Sequence, residues 1–218
     1  LVLDLPLDYG DTTTKVFDRS GYGNHGTIYG ATWIDTEVGK ALSFDGVDDY
    51  VATPLGVSPP FTVSMWALFT TFPTARYARI IAQGISCADR AWNLSNYRLA
   101  PNQYIFVLFF TDDTNLALYS VFRPKVNEWH HLTVVVTASS TSLYVDGKFD
   151  SSVSYTKTVK TTGTIDIGRL ANCNYEFFPG SVASVRIYNR ALTAEEISRL
   201  YELSKPRPWP RITTPVVR

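Results

Sequence analysis

Short runs in which apolar and polar residues alternate recur along almost the whole chain of 218 residues, and each run ends at Gly, Pro, Asn or Asp. In FTVSMWAL, residues 61–68, the apolar residues Val63, Met65 and Ala67 fall on one side. A period of two is that of a β-strand, whose successive side chains point to opposite faces. About twelve such runs with almost no helical periodicity predict an all-β fold, a two-sheet antiparallel β-sandwich or jelly roll.

The stretch GKALSFDGVDDYVA, residues 39–52, places an acidic turn between two strand-like runs. Asp45, Asp48 and Asp49 lie in this turn. Carboxylates on a strand turn are usually solvated, so we expect a hairpin here rather than a metal site. Two strands joined in this way need a second sheet to cover their apolar face.

Two further patterns predict local structure. Asp146-Gly147 lies between two alternating runs in SLYVDGKFD, which predicts a hairpin with a two-residue type I′ turn. Residues 1–9 also alternate, and because Pro6 has no amide donor we expect an edge strand there.

One short helix is predicted at Ala194–Leu203. Thr193 can accept from the early amides while Glu196 reaches back, which is a capping box. We therefore expect one jelly-roll domain over residues 1–204. Residues 205–218 contain four prolines and are expected to form an extended tail or linker, which offers a route to self-assembly.

The charges exclude several classes of partner. Twenty basic and twenty acidic residues cancel, so no overall field attracts nucleic acid or an anionic membrane. No apolar run of about 18 residues is present for membrane insertion. The chain opens on LVLDLPLDYG without Met or a basic leader, as expected of a mature or trimmed product, and we expect it to be secreted or surface-exposed. In that setting we favour a disulfide between Cys87 and Cys173, with two free thiols as the alternative.

Six motifs in their order resemble the laminin-G-like jelly rolls of the concanavalin A-like lectin/glucanase group. They are DRSGYGNHG, GKALSFDGVDDYV, FTVSMWAL, EWHHLTVVV, SLYVDGK and GSVASVRIYNRALTAEEI. The resemblance covers residues 4–203. It implies two antiparallel sheets whose first and last strands pair, a secreted or surface-exposed location, bound calcium, and recognition of sugars or proteins. A minority of the group cleave glycans.

Calcium needs oxygen ligands in a flexible loop. In DRSGYGNHG the Asp18 carboxylate, the Asn24 amide oxygen and the loop carbonyls offer such ligands, although Asp18 and Asn24 would equally serve to cap turns. Family members usually have an acidic pair near residue 183, and the first acid often helps to hold the metal. Ala183 stands there in this chain. Calcium is therefore expected at Asp18 with few charged ligands.

Sugar recognition needs flat aromatic faces beside planar amides and charged groups. The predicted ligand-binding residues are Trp66, Tyr77, Arg79, Trp92, Asn96, Tyr97, Asn172 and Tyr175, with Asn93, Arg98 and Asn174 close to them in sequence. A disulfide would draw the loops 84–92 and 170–178 together. It would then place Trp92 and Tyr175 beside a concave face that Trp66 and Tyr97 line. Core packing is the alternative role for each aromatic residue.

The acidic and histidine patterns argue against catalysis and zinc. Glycan hydrolysis needs two carboxylates flanking one bond, whereas Glu128, Asp166 and Glu176 are isolated in sequence and are expected to be surface or loop acids. His130 and His131 alternate faces of one strand, so we expect one packed against the core and one half exposed.

The sequence thus predicts an extracellular, non-catalytic recognition domain for carbohydrate or a protein surface, assisted by calcium. The alternatives are a structural building block of a cell surface, fibre or virion coat, and a glycan-cleaving enzyme.

Overall fold

The computed structural model describes residues 1–7, 11–71, 77–86, 88–100, 103–110, 116–156 and 158–205. These residues form two antiparallel β-sheets and one short helix, which confirms the predicted all-β sandwich. The predicted tail from residue 206 onward lies outside the described residues.

The strands are β1 Leu3–Leu5, β2 Lys15–Val16, β3 Gly26–Tyr29, β4 Thr32–Thr36, β5 Gly39–Asp45, β6 Tyr50–Ala52, β7 Phe61–Phe69, β8 Tyr77–Gly84, β9 Arg90–Ala100, β10 Gln103–Phe110, β11 Ala117–Tyr119, β12 His130–Val136, β13 Ser140–Val145, β14 Lys148–Ser154, β15 Thr164–Ile167 and β16 Pro179–Tyr188. The helix α1 is Ala194–Ser204. The first sheet has the order β14-β13-β12-β7-β16-β5-β4, with β1 also on β16, and the second has the order β11-β10-β9-β8-β15-β6-β3-β2.

The first and last strands pair, as the family resemblance implied. Leu3 lies opposite Ile187 and Leu5 opposite Val185 in the antiparallel β1–β16 pair. Strand β5 pairs with the same edge of β16 as β1 does, but beside residues 179–182. Between these two partners, β16 carries a bulge at Ser184, whose φ is 51°. The bulge lets one strand change partners without losing its pairing to β7.

The inner faces of the two sheets enclose one large apolar core. Phe61 of the first sheet packs against Trp92 of the second, with ring centroids 5.2 Å apart, and Phe69 packs against Phe106 at 6.1 Å. All four side chains are almost completely buried. Burying an aromatic side chain of this size contributes about 2–3 kcal/mol. The core therefore holds the two sheets face to face.

The acidic turn does not close a hairpin, and that part of the prediction is wrong. Strand β5 pairs with β4 and β16 in the first sheet, whereas β6 pairs with β3 and β15 in the second. The turn carries the chain from one sheet to the other. Phe44 and Val51 are both buried in the shared core, an outcome that a hairpin or a sheet crossing satisfies equally well. The alternation of residues therefore could not distinguish the two.

The second hairpin is as predicted. Asp146 and Gly147 have φ angles of 52° and 74°, as a type I′ turn between β13 and β14 requires. A Cβ atom at Gly147 would lie 2.9 Å from the Cβ of Tyr201 on α1. The turn therefore needs glycine for its backbone angle and for its close approach to the helix.

The predicted capping box of α1 is confirmed. The amide of Glu196 donates to Thr193 Oγ1 at 3.3 Å, and the amide of Thr193 donates to Glu196 Oε2 at 2.9 Å. Ile197 is fully buried below the helix. No helix in the described part of the chain has the length and apolar character needed to span a bilayer.

Both histidines of β12 are buried, so the expected half-exposed histidine is wrong. His130 is 8% exposed because Phe122 packs edge-on against its ring at 4.7 Å, and its Nδ1 lies 3.0 Å from Asp146 Oδ2. His131 is 2% exposed beside Trp66, with its Nε2 2.9 Å from Ser64 Oγ. Burial lowers the pKa of His131 to about 4.

Thr193→Ala should lower the free energy of unfolding by about 1 kcal/mol, because the Glu196 amide loses its acceptor at the helix start. Urea melts of the wild type, Thr193→Ala and Thr193→Ser measure the effect. The serine variant keeps the hydroxyl and should retain most of the stability. Equal melts for all three proteins would show that the cap contributes nothing to folding.

The stability of the protein should fall as the pH is lowered from 6.5 to 4. In this window His131 takes up a proton only in the unfolded state, because its pKa is about 6.5 there and about 4 when folded. The full loss is about 3 kcal/mol. The difference between wild-type and His131→Gln unfolding free energies, measured across this pH range, isolates the contribution. Parallel pH profiles for the two proteins would contradict it.

Candidate ligand-binding face

Three of the predicted ligand-binding residues lie on the outer face of the second sheet. Tyr77 pairs with Tyr97 across β8 and β9, and Arg79 pairs with Ser95 in the same register. Directly opposed residues share a face, and so do residues two apart on one strand. Tyr77, Arg79, Ser95 and Tyr97 therefore form one group that points away from the core.

An aromatic cluster covers one end of this face. Tyr77 lies 5.1 Å from Tyr97 and 5.2 Å from Phe109 between ring centroids, and Tyr97 lies 5.9 Å from Tyr119. Tyr119 is 49% exposed, Tyr77 and Phe109 are partly exposed, and Tyr97 is buried below them. We call Tyr77, Tyr97, Phe109 and Tyr119 the aromatic cluster. It presents flat apolar surface with hydroxyl groups at its edges.

The loop over residues 169–178, which we call the covering loop, lies over the middle of the same face. Leu170 and Cys173 are buried against Ala82 of β8. Further along, the carbonyl of Glu176 accepts from the amide of Arg79 at 2.9 Å, and the carboxylate of Glu176 pairs with the Arg79 guanidinium. The loop therefore forms a wall beside the aromatic cluster.

Buried polar side chains lie beneath this wall. Arg79 is 4% exposed, and Asn93 and Ser95 are fully buried. Ser95 Oγ donates to Asn93 Oδ1 at 2.8 Å. Burial lowers the pKa of Arg79, while the charge of Glu176 raises it and that of Arg90 lowers it. A guanidinium, an amide and a hydroxyl thus share one water-poor corner next to the aromatic cluster.

The structure does not bring Trp92, Asn96 or Trp66 to this face. Trp92 points into the core, where its Nε1 donates to Gln83 Oε1 at 3.0 Å. Asn96 is fully buried and lies four residues from Trp92, on the inner side of β9. Trp66 lies on the outer face of the other sheet under α1, packed against Ala183, and its Nε1 donates to Ser204 Oγ at 3.1 Å.

The other predicted residues belong to the covering loop. Tyr175 is 56% exposed, and Asn172 Nδ2 donates to the carbonyl of Ile85 at 2.9 Å. That bond joins the two cysteine-containing loops, as expected of a disulfide between them. Cys173 is buried, while Cys87 lies outside the described residues. The disulfide stays a prediction.

Several residues of this face escaped sequence reasoning. Phe109 and Tyr119 lie in apolar runs that indicate strands without indicating which face is covered. Glu176 is isolated in the sequence and lies in a loop as expected, but its side chain is only 15% exposed beside Arg79. The ladders that join β8 to β9, β9 to β10 and β10 to β11, together with the contact of the covering loop on β8, bring these residues together, and sequence alone does not fix them.

A second aromatic stack lies on the far side of the covering loop. Tyr29 and Tyr50 stack at 4.4 Å, and the Arg169 guanidinium carbon lies 3.2 Å from the Tyr50 ring centre. Arg169 Nε also donates to Asp166 Oδ2 at 2.8 Å. Asp166 is 2% exposed, so its reading as a surface or loop acid is wrong. Burial raises the pKa of Asp166, against the opposing effect of Arg169.

The surroundings of Asp18 are those of a carboxylate that holds turns. Its Oδ1 accepts from the amides of Asp4 and Ser20, and its Oδ2 accepts from the hydroxyl of Ser20 and the amide of Asn24, all at 2.8–2.9 Å. The Asn24 side chain donates to the carbonyl of Val2. Burial alone would raise the pKa of Asp18, but these hydrogen bonds lower it below its usual value. Asp18 therefore has the turn-capping role that the sequence offered as an alternative, and its role as a calcium ligand stays a prediction.

Another acidic group lies in the turn between β5 and β6. Carboxylate oxygens of Asp45, Asp48 and Asp49 come within 4.8 Å of one another. Asp45 Oδ1 already accepts from Val47 N, and Asp49 Oδ2 accepts from Asp45 N. Desolvation raises the pKa of the buried Asp49. The group has calcium-type ligand atoms, and calcium binding by the chain stays a prediction.

Asp18→Ala should lower the free energy of unfolding by about 2–3 kcal/mol in chelator, because up to four donors lose a charged acceptor. Denaturant melts measure this against Asp48→Asn, an exposed acid of the same charge. An Asp18→Ala protein as stable as the wild type in chelator would contradict the turn-forming role.

A calcium titration of the melting temperature tests the metal prediction. Binding to the folded state alone raises the melting temperature. A rise that Asp18→Ala abolishes would place the ion at Asp18, and a rise that Asp48→Asn abolishes would place it in the acidic turn. An unchanged melt across millimolar calcium would contradict both sites.

The comparisons with known proteins agree with this architecture. Domain 4 of an extracellular arabinanase from Geobacillus stearothermophilus, solved with arabinotriose, has a TM-score of 0.71 and 19% identity over 92% of this chain and 98% of that chain. The botulinum neurotoxin serotype G binding domain has a TM-score of 0.68 and 17% identity, covering 93% of this chain and 50% of that chain. Trypanosoma rangeli sialidase in complex with the inhibitor DANA has a TM-score of 0.67 and 16% identity, covering 93% of this chain and 33% of that chain.

Likeness at these identities establishes a shared fold. Comparison with curated protein sequences gave no match. The family model described as the concanavalin A-like lectin/glucanases superfamily, of laminin-G type, matches residues 45–198, well over half of the chain. The chain therefore belongs to the laminin-G-like family of the concanavalin A-like lectin/glucanases superfamily.

Proposed function

We propose that this chain is an extracellular carbohydrate-recognition domain that binds a glycan on the outer face of the second sheet and does not cleave it. One observation carries the proposal: the partly exposed aromatic cluster adjoins the buried polar corner formed by Arg79, Asn93 and Ser95.

The aromatic part of this face suits the apolar C–H side of a sugar ring, and its polar part suits the sugar hydroxyl groups. The C–H side of a sugar ring packs on a flat aromatic surface, which Tyr77, Phe109 and Tyr119 supply. Sugar hydroxyls need planar donors and acceptors in fixed positions, as in most small-molecule sites. The phenol groups and the exposed Tyr175 at the rim of the covering loop provide such groups. Rigid strands hold the cluster, which lowers the entropy lost on binding.

Binding without cleavage is favoured by the pairing of the acids on this face. Glu176 is paired with Arg79, and Asp166 is paired with Arg169. Each carboxylate thus has a cationic partner, whereas glycan hydrolysis needs a proton donor and a second acid facing the scissile bond. A structural neighbour solved with arabinotriose adds support for a sugar rather than a protein surface as the ligand.

Tyr119→Ala should weaken glycan binding about tenfold, because a sugar ring loses part of its stacking surface. A glycan array first selects ligands for the wild type, and calorimetry then compares the variants on the strongest of them. Phe149→Ala is the matched control, since Phe149 is an aromatic residue 60% exposed on the first sheet.

The same experiment contains the results that would contradict the proposal. Equal losses for Tyr119→Ala and Phe149→Ala would move the site off this face. Binding of no glycan on the array would remove carbohydrate as the ligand. Release of shortened glycan from the incubated sample would show an enzyme. Repeating the array in chelator shows whether calcium assists binding.

A further inference from the structure

Three buried donors beneath the covering loop have no acceptor among the described residues. They are Arg79 Nε, Arg79 Nη1 and Asn93 Nδ2. Arg79 is 4% exposed and Asn93 is fully buried. Such groups in native proteins normally have a partner, because burying a donor without one costs as much free energy as losing a hydrogen bond. The buried corner therefore lacks an acceptor.

The strand register places the Arg79 and Asn93 side chains on the same face of the second sheet. Arg79 lies opposite Ser95, and Asn93 lies two residues from Ser95 on the same face of β9. Ser95 Oγ donates to Asn93 Oδ1, so the amide nitrogen is the atom left over. All three unpaired atoms are thus donors on neighbouring side chains, and one of those side chains carries a positive charge.

A ligand that completes these hydrogen bonds must supply an acceptor. The ion pair between Arg79 and Glu176 indicates the charge that this acceptor should carry. The Glu176 carboxylate bonds Arg79 through Nη2 alone. Glu176 and Asn172 hold φ angles of 65° and 53°, which non-glycine residues seldom adopt. A neutral ligand that displaced Glu176 would leave a buried guanidinium without a counter-charge, whereas an anionic ligand would exchange one carboxylate for another.

We infer that the glycan carries a carboxylate, which replaces Glu176 at Arg79 and is bound by the guanidinium and by Asn93 Nδ2. The inference rests on the proposed carbohydrate-binding function and narrows its ligand to acidic sugars. In this arrangement the sugar ring lies on the aromatic cluster, and its carboxylate points under the covering loop. A carboxylate has two oxygens and can accept from both side chains, and bonds from a guanidinium to it are among the stronger hydrogen bonds in proteins.

Matched pairs of glycans test this inference. The probes are uronic-acid and sialic-acid oligosaccharides, each as the free acid and as its methyl ester, with a sulfated oligosaccharide as a third arm. The best free acid should bind about tenfold more tightly than its own ester. Esters that bind as tightly as the acids would overturn the inference. Stronger binding of the sulfated arm would show recognition of charge rather than of a carboxylate.

Glu176→Gln supplies the decisive variant, since it keeps the shape of the side chain and removes the competing charge. We expect it to raise the ratio of acid affinity to ester affinity severalfold, because Arg79 then lacks a counter-charge until the ligand arrives. A purely structural Glu176 would leave this ratio unchanged, and that result overturns the inference. Phe149→Ala should leave the ratio as in the wild type.

Arg79→Gln should abolish the preference for the acid. If that variant does not fold, as judged by its melt, Glu176→Gln and the ester pairs still decide the question. A failure of the proposed carbohydrate-binding function would give other results than a failure of this inference. Neither acids nor esters would bind, or Tyr119→Ala would leave the binding of both unchanged.

Discussion

The arrangement of the outer face of the second sheet depends on the ion pair between Arg79 and Glu176. Together with the bond from the Arg79 amide to the Glu176 carbonyl, it holds the covering loop beside β8. The loop divides the face, with the aromatic cluster on one side and the stacked Tyr29 and Tyr50 on the other. Removing either charge would leave its buried partner uncompensated, a loss of several kcal/mol. The position of the loop therefore depends on this pair.

Features that depend on a few adjacent residues could be predicted from the sequence. The type I′ turn follows from Asp146-Gly147, because few other residue pairs accept two positive φ angles. The capping box follows from the spacing of Thr193 and Glu196, whose bonds form within one helical turn. The two-sheet architecture follows from repeated alternation, since a half-buried strand has that pattern whichever partner it takes.

Features that depend on distant partners could not be predicted. Strand β9 is buried continuously from Ala91 to Tyr97, so alternation no longer marks which face meets the core. Trp92 points inward, where Gln83 accepts a hydrogen bond from its indole nitrogen, while Tyr97 points outward to Tyr77. Likewise, Trp66 is covered by a helix end 138 residues further along the chain. The candidate ligand-binding face depends on the registers of β8 to β11 with one another, which no short stretch of sequence encodes.

The buried charged residues Asp18 and Arg79 differ in how completely their polar atoms are hydrogen-bonded. Asp18 accepts four hydrogen bonds from its own loop and from Asp4, so both of its carboxylate oxygens help to hold the chain. Arg79 is buried at least as deeply but uses one guanidinium nitrogen on Glu176 and leaves two without an acceptor. An apolar side chain in place of Arg79 would avoid that cost and fill the same space. Departures of this kind from the rules of stable packing are expected where a ligand completes the site. The incomplete hydrogen bonding of Arg79, more than its charge, is therefore the reason why we propose a ligand at this position of the fold.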